Sequence, residues 1–310
     1  MTRAAVSGKV VFITGPARGI GEEMARQLAA RGARLALAGL EPARLAALAA
    51  SLGDGHAWFT CDVTDQPALD RAVAATMARF GRIDIVIANA GIASSGTVAV
   101  TPVQAMVRTI DVNLSGVVRT VSATLPHVTA ARGFYLFVSS AAAFAPMPGI
   151  ATYSATKSGV EAFANALRGE LLHKGVGVGV AHPSWIDTDM VRSAQRDLQS
   201  FSKTLKSLPG PLGTVTPVAE CAAAIVAAIE HRRRTVYIPR SLGALAQIRQ
   251  LLGSPFAEWL VGMRTRRTLP LMEREVKAIG RSFGEHSMAL GATVDEAAPP
   301  AAEAHPHPPG

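Results

Sequence analysis

Tyr153 and Lys157 stand four residues apart, a separation that sets two side chains on one face of a helix. An ammonium beside a phenol favours the tyrosinate, and a close opposite charge typically lowers such a pKa by about one to three units. A phenol brought towards neutrality in this way can pass a proton to or from an alcohol oxygen. Taken alone, the pair is better explained as a structural contact on an exposed helix. A second constellation lies near the N-terminus, in Thr14-Gly15-Pro16-Ala17-Arg18-Gly19-Ile20-Gly21. Glycines there permit a tight turn and a close backbone approach, with no Cβ in a ligand's way. A helix starting at such a turn aims unpaired amides and the positive end of its dipole at the same point, which suits a pyrophosphate. An ordinary glycine-rich turn would show the same triplet, so its placement in the chain decides.

These groups need elements to hold them. Residues 9–14 form a short apolar run leading into the glycines, as a buried parallel strand does. Residues 20–31 follow with Met24 and Leu28 at helical spacing, and Gly32 closes them. The pattern then predicts strands at 35–37, 57–61 and 83–88, with helices at 41–52 and 67–80 between them. Further on it predicts helices at 102–131, 154–173 and 219–231, and strands at 134–139, 176–181 and 235–238. Such alternation specifies an α/β fold, a Rossmann-type doubly wound parallel sheet of about seven strands with helices on both faces. The glycine turn falls at its first strand-to-helix junction. Residues 188–216, polar and carrying Pro209, Gly210, Pro211 and Gly213, read as an insertion over an active site. Residues 1–240 therefore form the main domain. Residues 241–290 form an amphipathic, basic helical extension packed on that domain or on a partner, and 291–310 an Ala/Pro/His-rich disordered tail.

The glycine spacing is G-x-x-x-G-x-G, and four further segments accompany it: Asp62-Val63, Asn89-Ala90-Gly91, Ser139-Ser140 and Tyr153-Ser154-Ala155-Thr156-Lys157. Jointly they resemble the classical short-chain dehydrogenase/reductase family, over residues 8–240. The resemblance implies a dinucleotide-binding, catalytic Rossmann domain and an NAD(P)-dependent oxidoreductase acting on an alcohol or carbonyl by hydride transfer. It assigns Tyr153 as general acid/base, Lys157 as its electrostatic tuner and a ligand of the nicotinamide ribose, and Ser140 as the hydrogen-bonding partner of the substrate oxygen. Ser139 has the poorer spacing. Asn113 matches the helix residue that holds a proton-relay water. Cofactor contacts fall to Gly15, Ala17, Arg18, Gly19, Ile20 and Gly21, to Asp62 and Val63 at the adenine, and to Asn89, Ala90 and Gly91. Pro183 and Thr188 match the segment that holds the nicotinamide amide, although Ser184 stands where the family usually has Gly.

NAD enzymes of this type carry an acid at the end of the second strand, and here Gly39 takes that place. Without a carboxylate a 2′-phosphate meets no repulsion, and Arg18 can pair with it. NADP(H) is therefore expected ahead of NAD(H), with Glu41 as the group that would instead favour the ribose. Ile92, Ala142, Phe144, Met147, Ile150, Trp185 and Met190 lie near motif positions that border the family's substrate cleft, which implies a hydrophobic secondary alcohol or ketone (or a primary alcohol and its aldehyde). His182 reads as a packed strand-end residue. Family relatives are dimers or tetramers, so a homodimer or homotetramer is expected. A dinucleotide-responsive binding protein with little catalysis is the alternative, since fold alone does not determine function.

Composition excludes other classes. The chain has 310 residues, 49% hydrophobic and 17% charged, which argues against wholesale disorder. Cys61 and Cys221 build neither a disulfide framework nor a zinc pattern, and no metal is expected. Gly, Ser, Thr and Pro interrupt the uncharged stretches 85–107 and 133–156, so neither offers a continuous apolar span. The N-terminus does not read as a signal peptide, and a soluble, cytoplasmic protein is expected. The net charge of +8 is concentrated: residues 231–281 hold 11 Lys/Arg against 3 Glu. No nucleic-acid motif accompanies that cluster, so no nucleic-acid partner is expected. Leu242, Leu245, Ile248, Leu251, Leu252 and Trp259, with Arg264, Arg266 and Arg267, could rest on an anionic membrane surface; packing over the cleft or against a partner subunit is the alternative.

Overall fold

The first apolar run folds as strand β1, Val10–Thr14, with all five residues buried. Side chains alternate along a strand, so Val11 and Ile13 face one helical layer while Val10 and Phe12 face the other. The computed structural model that shows this describes residues 5–208, 210 and 213–280. The expected tail at 291–310, and the end of the extension beyond Gly280, lie outside the described residues.

Strands β2 (Arg34–Gly39), β3 (Ala57–Thr60), β4 (Ile85–Ala88), β5 (Phe134–Val138) and β6 (Gly177–Pro183) follow β1, then the short β7 (Trp185–Ile186) and β8 (Val215–Thr216), and finally β9 (Thr235–Ile238). Seven of them form one parallel sheet in the order β3-β2-β1-β4-β5-β6-β9, and β7 pairs with β8 apart from it. Between them run α1 (Gly19–Ala30), α2 (Pro42–Leu52), α3 (Gln66–Phe80), α4 (Val103–Ile110), α5 (Gly116–Ala130) and α6 (Ala151–Leu171). The second half adds α7 (Asp189–Asp197), α8 (Gln199–Ser207), α9 (Val218–Glu230), α10 (Leu242–Gln247) and α11 (Pro255–Ile279). Met24, Leu28, Leu45 and Ile225 bring α1, α2 and α9 onto one face of the sheet. Leu69, Val121, Val160 and Leu167 bring α3, α5 and α6 onto the other. After β1 the chain turns towards β2, and β4 lies on the opposite side. The carboxyl ends of β1 and β4 thus open the crevice in which doubly wound sheets bind ligands.

Residues 188–216, expected as an insertion over an active site, contain two helices, α7 and α8, followed by β8. Leu198, Phe201 and Leu205 are buried against Met272 and Val276 of α11, and that contact with distant chain stabilises helices whose own composition is polar. Helix α6 begins at Ala151 rather than at 154, so Tyr153 sits in its first turn. Thr97 Oγ1 donates to Glu273 at 2.7 Å, and the Ser200 hydroxyl donates to Glu275. Among the described residues no helix is long and apolar enough to cross a membrane.

Candidate active site

The glycine turn is shaped by what surrounds it. Gly15 and Gly19 have φ of +65° and +55°, in the left-handed region that favours glycine. A Cβ on Gly15 would lie 2.8 Å from Ala90 Cα, and one on Gly21 would lie 2.5 Å from Asn89 Nδ2. Asn89 fixes this junction, since its Nδ2 donates to the carbonyls of Thr14 and Gly15 at 3.1 and 2.9 Å. Thr14 Oγ1 in turn accepts from the amides of Asn89 and Ala90. The ends of β1 and β4 are thereby locked together, with bare backbone and the N-terminus of α1 facing the crevice.

Ser139 and Ser140 leave β5 in opposite directions. The Ser139 hydroxyl is buried and donates to the Lys157 carbonyl at 2.8 Å, which pins α6 to the sheet. Ser140 Oγ accepts from the Ala142 amide at 3.1 Å, and its hydroxyl acts on the Tyr153 phenol, lowering the phenol's pKa. Lys157 Nζ donates to the Val138 carbonyl at 2.9 Å and lies 5.6 Å from the centre of the Tyr153 ring. His182 is packed, as expected: it stacks on Tyr237, and its Nδ1 donates to the Ser140 carbonyl at 3.2 Å.

The electrostatics differ from the expected simple tuning of tyrosine by lysine. Burial raises the Tyr153 pKa above its ordinary value, and the Ser140 hydrogen bond offsets only part of that rise. Burial also lowers the Lys157 ammonium to about 8. Both shifts have one cause, because a low-dielectric wall disfavours whichever form carries charge. In the protein alone Tyr153 is therefore held as a neutral phenol, a proton donor.

Every sequence-predicted cofactor residue borders one cavity of about 890 Å³: Gly15, Ala17 to Gly21, Gly39, Asp62, Val63, Asn89 to Gly91, Tyr153, Lys157, Pro183 and Thr188. Ser140 borders it too. Asn113 does not. It is fully buried in a π-helical turn, Asp111–Ser115, where its Oδ1 accepts from the Ile92 amide at 2.8 Å and its Nδ2 donates to the Ile92 carbonyl at 2.9 Å. Asp62 accepts from Thr64 and from Arg108. Burial pushes its carboxyl up, but those donors outweigh burial and hold it below the usual carboxylate range.

Of the residues expected around a substrate, Ile92, Ala142, Met147, Ile150, Trp185 and Met190 line the cavity. Phe144 does not: its ring packs edge-on against His182 and Tyr237. Sequence reasoning missed Phe201 of α8 and Val276 and Ile279 of α11, which also line it. The apolar spacing in α8 was a usable signal; nothing local in α11 marked those residues as cavity wall. Arg18 is paired with Glu41 through two guanidinium nitrogens, at 2.9 and 2.7 Å, and Arg44 lies 3.4 Å from the same carboxylate.

Known proteins resemble this chain in sequence and fold. The family model described as short chain dehydrogenase matches residues 9–199. The 3-oxoacyl-[acyl-carrier-protein] reductase FabG of Escherichia coli is 30% identical over 218 residues, covering 70% of this chain and 88% of that protein. The 11-beta-hydroxysteroid dehydrogenase-like 6 protein of Arabidopsis thaliana is 31% identical over 278 residues, 86% of this chain and 81% of its own length. Among solved structures, levodione reductase superposes with a TM-score of 0.70 at 25% identity, over 77% of this chain and 98% of that one.

Proposed function

The chain belongs to the short-chain dehydrogenase family, and on that premise we propose that it interconverts an apolar alcohol and its carbonyl compound, with Tyr153 moving the proton. One observation carries this reading. Tyr153, with Ser140 and Lys157 beside it, borders the same cavity as the Gly15–Gly21 turn.

The residues present fit a nicotinamide dinucleotide. A Cβ at position 15 or 21 would collide with neighbouring protein atoms, so the turn offers the bare amides that a pyrophosphate requires. Asp62, charged in this environment, suits an amino group at the adenine end. When bound, the cofactor supplies the hydride. For reduction, Ser140 holds the carbonyl oxygen by a hydrogen bond, and Tyr153 transfers its phenolic proton to that oxygen as the new C–H bond forms. The phenol O–H bond breaks, an alcohol O–H bond forms, and the phenolate is left beside the Lys157 ammonium. Gly91 leaves this side of the site free of a Cβ, which would lie 3.3 Å from Asn113 Oδ1 and 3.6 Å from Lys157 Nζ. Asn113 supports this step by ordering the Ile92 backbone. Oxidation runs the same transfers in reverse.

NADP(H) is the preferred cofactor in this reading. Gly39 leaves room for a 2′-phosphate, and Arg18 is the cation within reach. Glu41 competes for Arg18, but Arg44 is already beside it, so Glu41 keeps a cation when Arg18 turns to a phosphate. An apolar alcohol or ketone matches Ile92, Met147, Ile150, Trp185 and Val276 in the cavity wall. Self-association belongs to the same reading and uses α4 and α5, where Val103, Val107, Ile110 and Val118 are exposed.

The test is carbonyl-dependent oxidation of NADPH and NADH over a panel of apolar and charged ketones and aldehydes. We expect turnover with apolar members and a lower KM for NADPH. Arg18→Ala should raise the KM for NADPH about tenfold, the loss of one charge-assisted pair, and leave that for NADH nearly unchanged. Arg44→Ala should raise the KM for NADPH in the same direction. Cofactor binding without turnover on any member would replace hydride transfer with the binding-protein reading.

A further inference from the structure

Helix α11 has two unlike halves. Its C-terminal half is packed, with Met272 and Val276 buried against α8 and with Glu273 and Glu275 hydrogen-bonded to Thr97 and Ser200. In its N-terminal half, among the described side chains, Phe256 is 68% exposed and Trp259 57%, and Leu260, Val261 and Met263 are exposed as well. The Phe256 and Trp259 rings stack on each other with centroids 6.0 Å apart. Ile248 and Leu251, just before the helix, are also exposed.

The order along the helix is informative. Phe256, Trp259, Leu260 and Met263 follow the spacing i, i+3, i+4, i+7 and share one face, which Arg267 continues. Arg264, Arg266 and Arg267 are all exposed, and Glu258 is the only acid in the sequence between residues 249 and 273. An apolar, aromatic turn followed within a turn or so by three guanidinium groups matches the layering of an acidic bilayer surface. Aromatic and aliphatic groups lie among the upper acyl chains, and arginines lie at the phosphates. A symmetric pair of copies meeting through this face would bring six arginines together, and like charges facing each other oppose such a contact.

We propose that the first half of α11 docks the protein on a membrane surface that carries acidic lipids. This goes beyond the redox reading and does not depend on it, but the two meet in one helix. Val276 and Ile279, farther along α11, line the cavity. They lie about 20 to 24 Å from Met263 at 1.5 Å per residue, so a lipid-soluble substrate leaving the bilayer has a short path to the site.

Flotation of the full-length protein with phosphatidylcholine vesicles, with and without phosphatidylserine, tests this directly. We expect binding to the phosphatidylserine vesicles only, weakened by salt. Replacing Arg264, Arg266 and Arg267 together by Gln should lower the partition coefficient by at least about tenfold, given the contribution of each cation near an acidic surface. The double variant Phe256→Ser, Trp259→Ser should also lower it, with an unchanged circular dichroism spectrum. Brominated lipid should quench fluorescence in the wild type and spare it in Trp259→Phe. Absence of vesicle binding, or undiminished binding by both variants, overturns the proposal. So does a fall in oligomer size in the double variant without vesicle binding, which would make the face an interface between copies. Because no arm measures turnover, an inactive redox site would leave the result intact.

Discussion

At the residue scale, the decisive pair is Tyr153 and Lys157, and their environment differs from their motif. Two residues on adjacent turns would exchange charge stabilisation freely in water. Inside this wall both are desolvated, so the phenol keeps its proton and the amine loses its own at about 8 rather than near its ordinary value. The lysine is thus cationic at neutral pH and can hold a developing phenolate, and that ability fades as pH rises through about 8. For carbonyl reduction, kcat/KM should therefore fall on an alkaline limb near pH 8, because that ratio reports groups in the free enzyme. Lys157→Arg, whose guanidinium stays charged over the whole accessible range, should remove the limb even if its plateau is lower. A profile flat from pH 7 to 10 in the wild type would contradict the assignment of charge to Lys157.

At the element scale, the helices that follow β4 show why some features were legible in the sequence and others were not. The alternation of short apolar runs with helical spacing placed every strand of the main sheet, because the inner strands are buried on both faces and the edge strands β3 and β9 still carry an apolar or alternating run. The Gly15, Asn89, Ser140 and Tyr153 motifs sit at strand ends or in the first turn of α6, where local chemistry dictates residue type. The packing of α8 against α11 was illegible for the opposite reason. Ser200 and Glu275 meet across 75 residues, and no window of sequence contains both. Phe144 was misplaced because a turn after β5 can send a ring to either side, and the stack of His182 and Tyr237 took it. The α4–α5 stripe is legible only with exposure in hand: Val103, Val107, Ile110 and Val118 repeat at helical intervals yet face outward. Replacing Val107 by Glu on that stripe should shift the protein to a smaller species in sedimentation velocity, since a desolvated carboxylate opposes association. An unchanged sedimentation coefficient would remove α4 from the self-association surface.

At the scale of the whole molecule, the crevice between β1 and β4 gives one end of the cavity its backbone amides, and α8 and α11 give the other parts an apolar wall. The proposed mechanism depends on holding two reactants in line and polarising one oxygen, and it gives Tyr153 the transfer of a proton to substrate. The most direct test is therefore Tyr153→Phe in the full-length protein, with NADPH affinity measured by calorimetry and carbonyl reduction measured at saturating cofactor. The expected result is cofactor affinity close to wild type with kcat lowered at least about a hundredfold, the lower bound for a positioned general acid. Turnover undiminished in the phenylalanine variant would contradict the account.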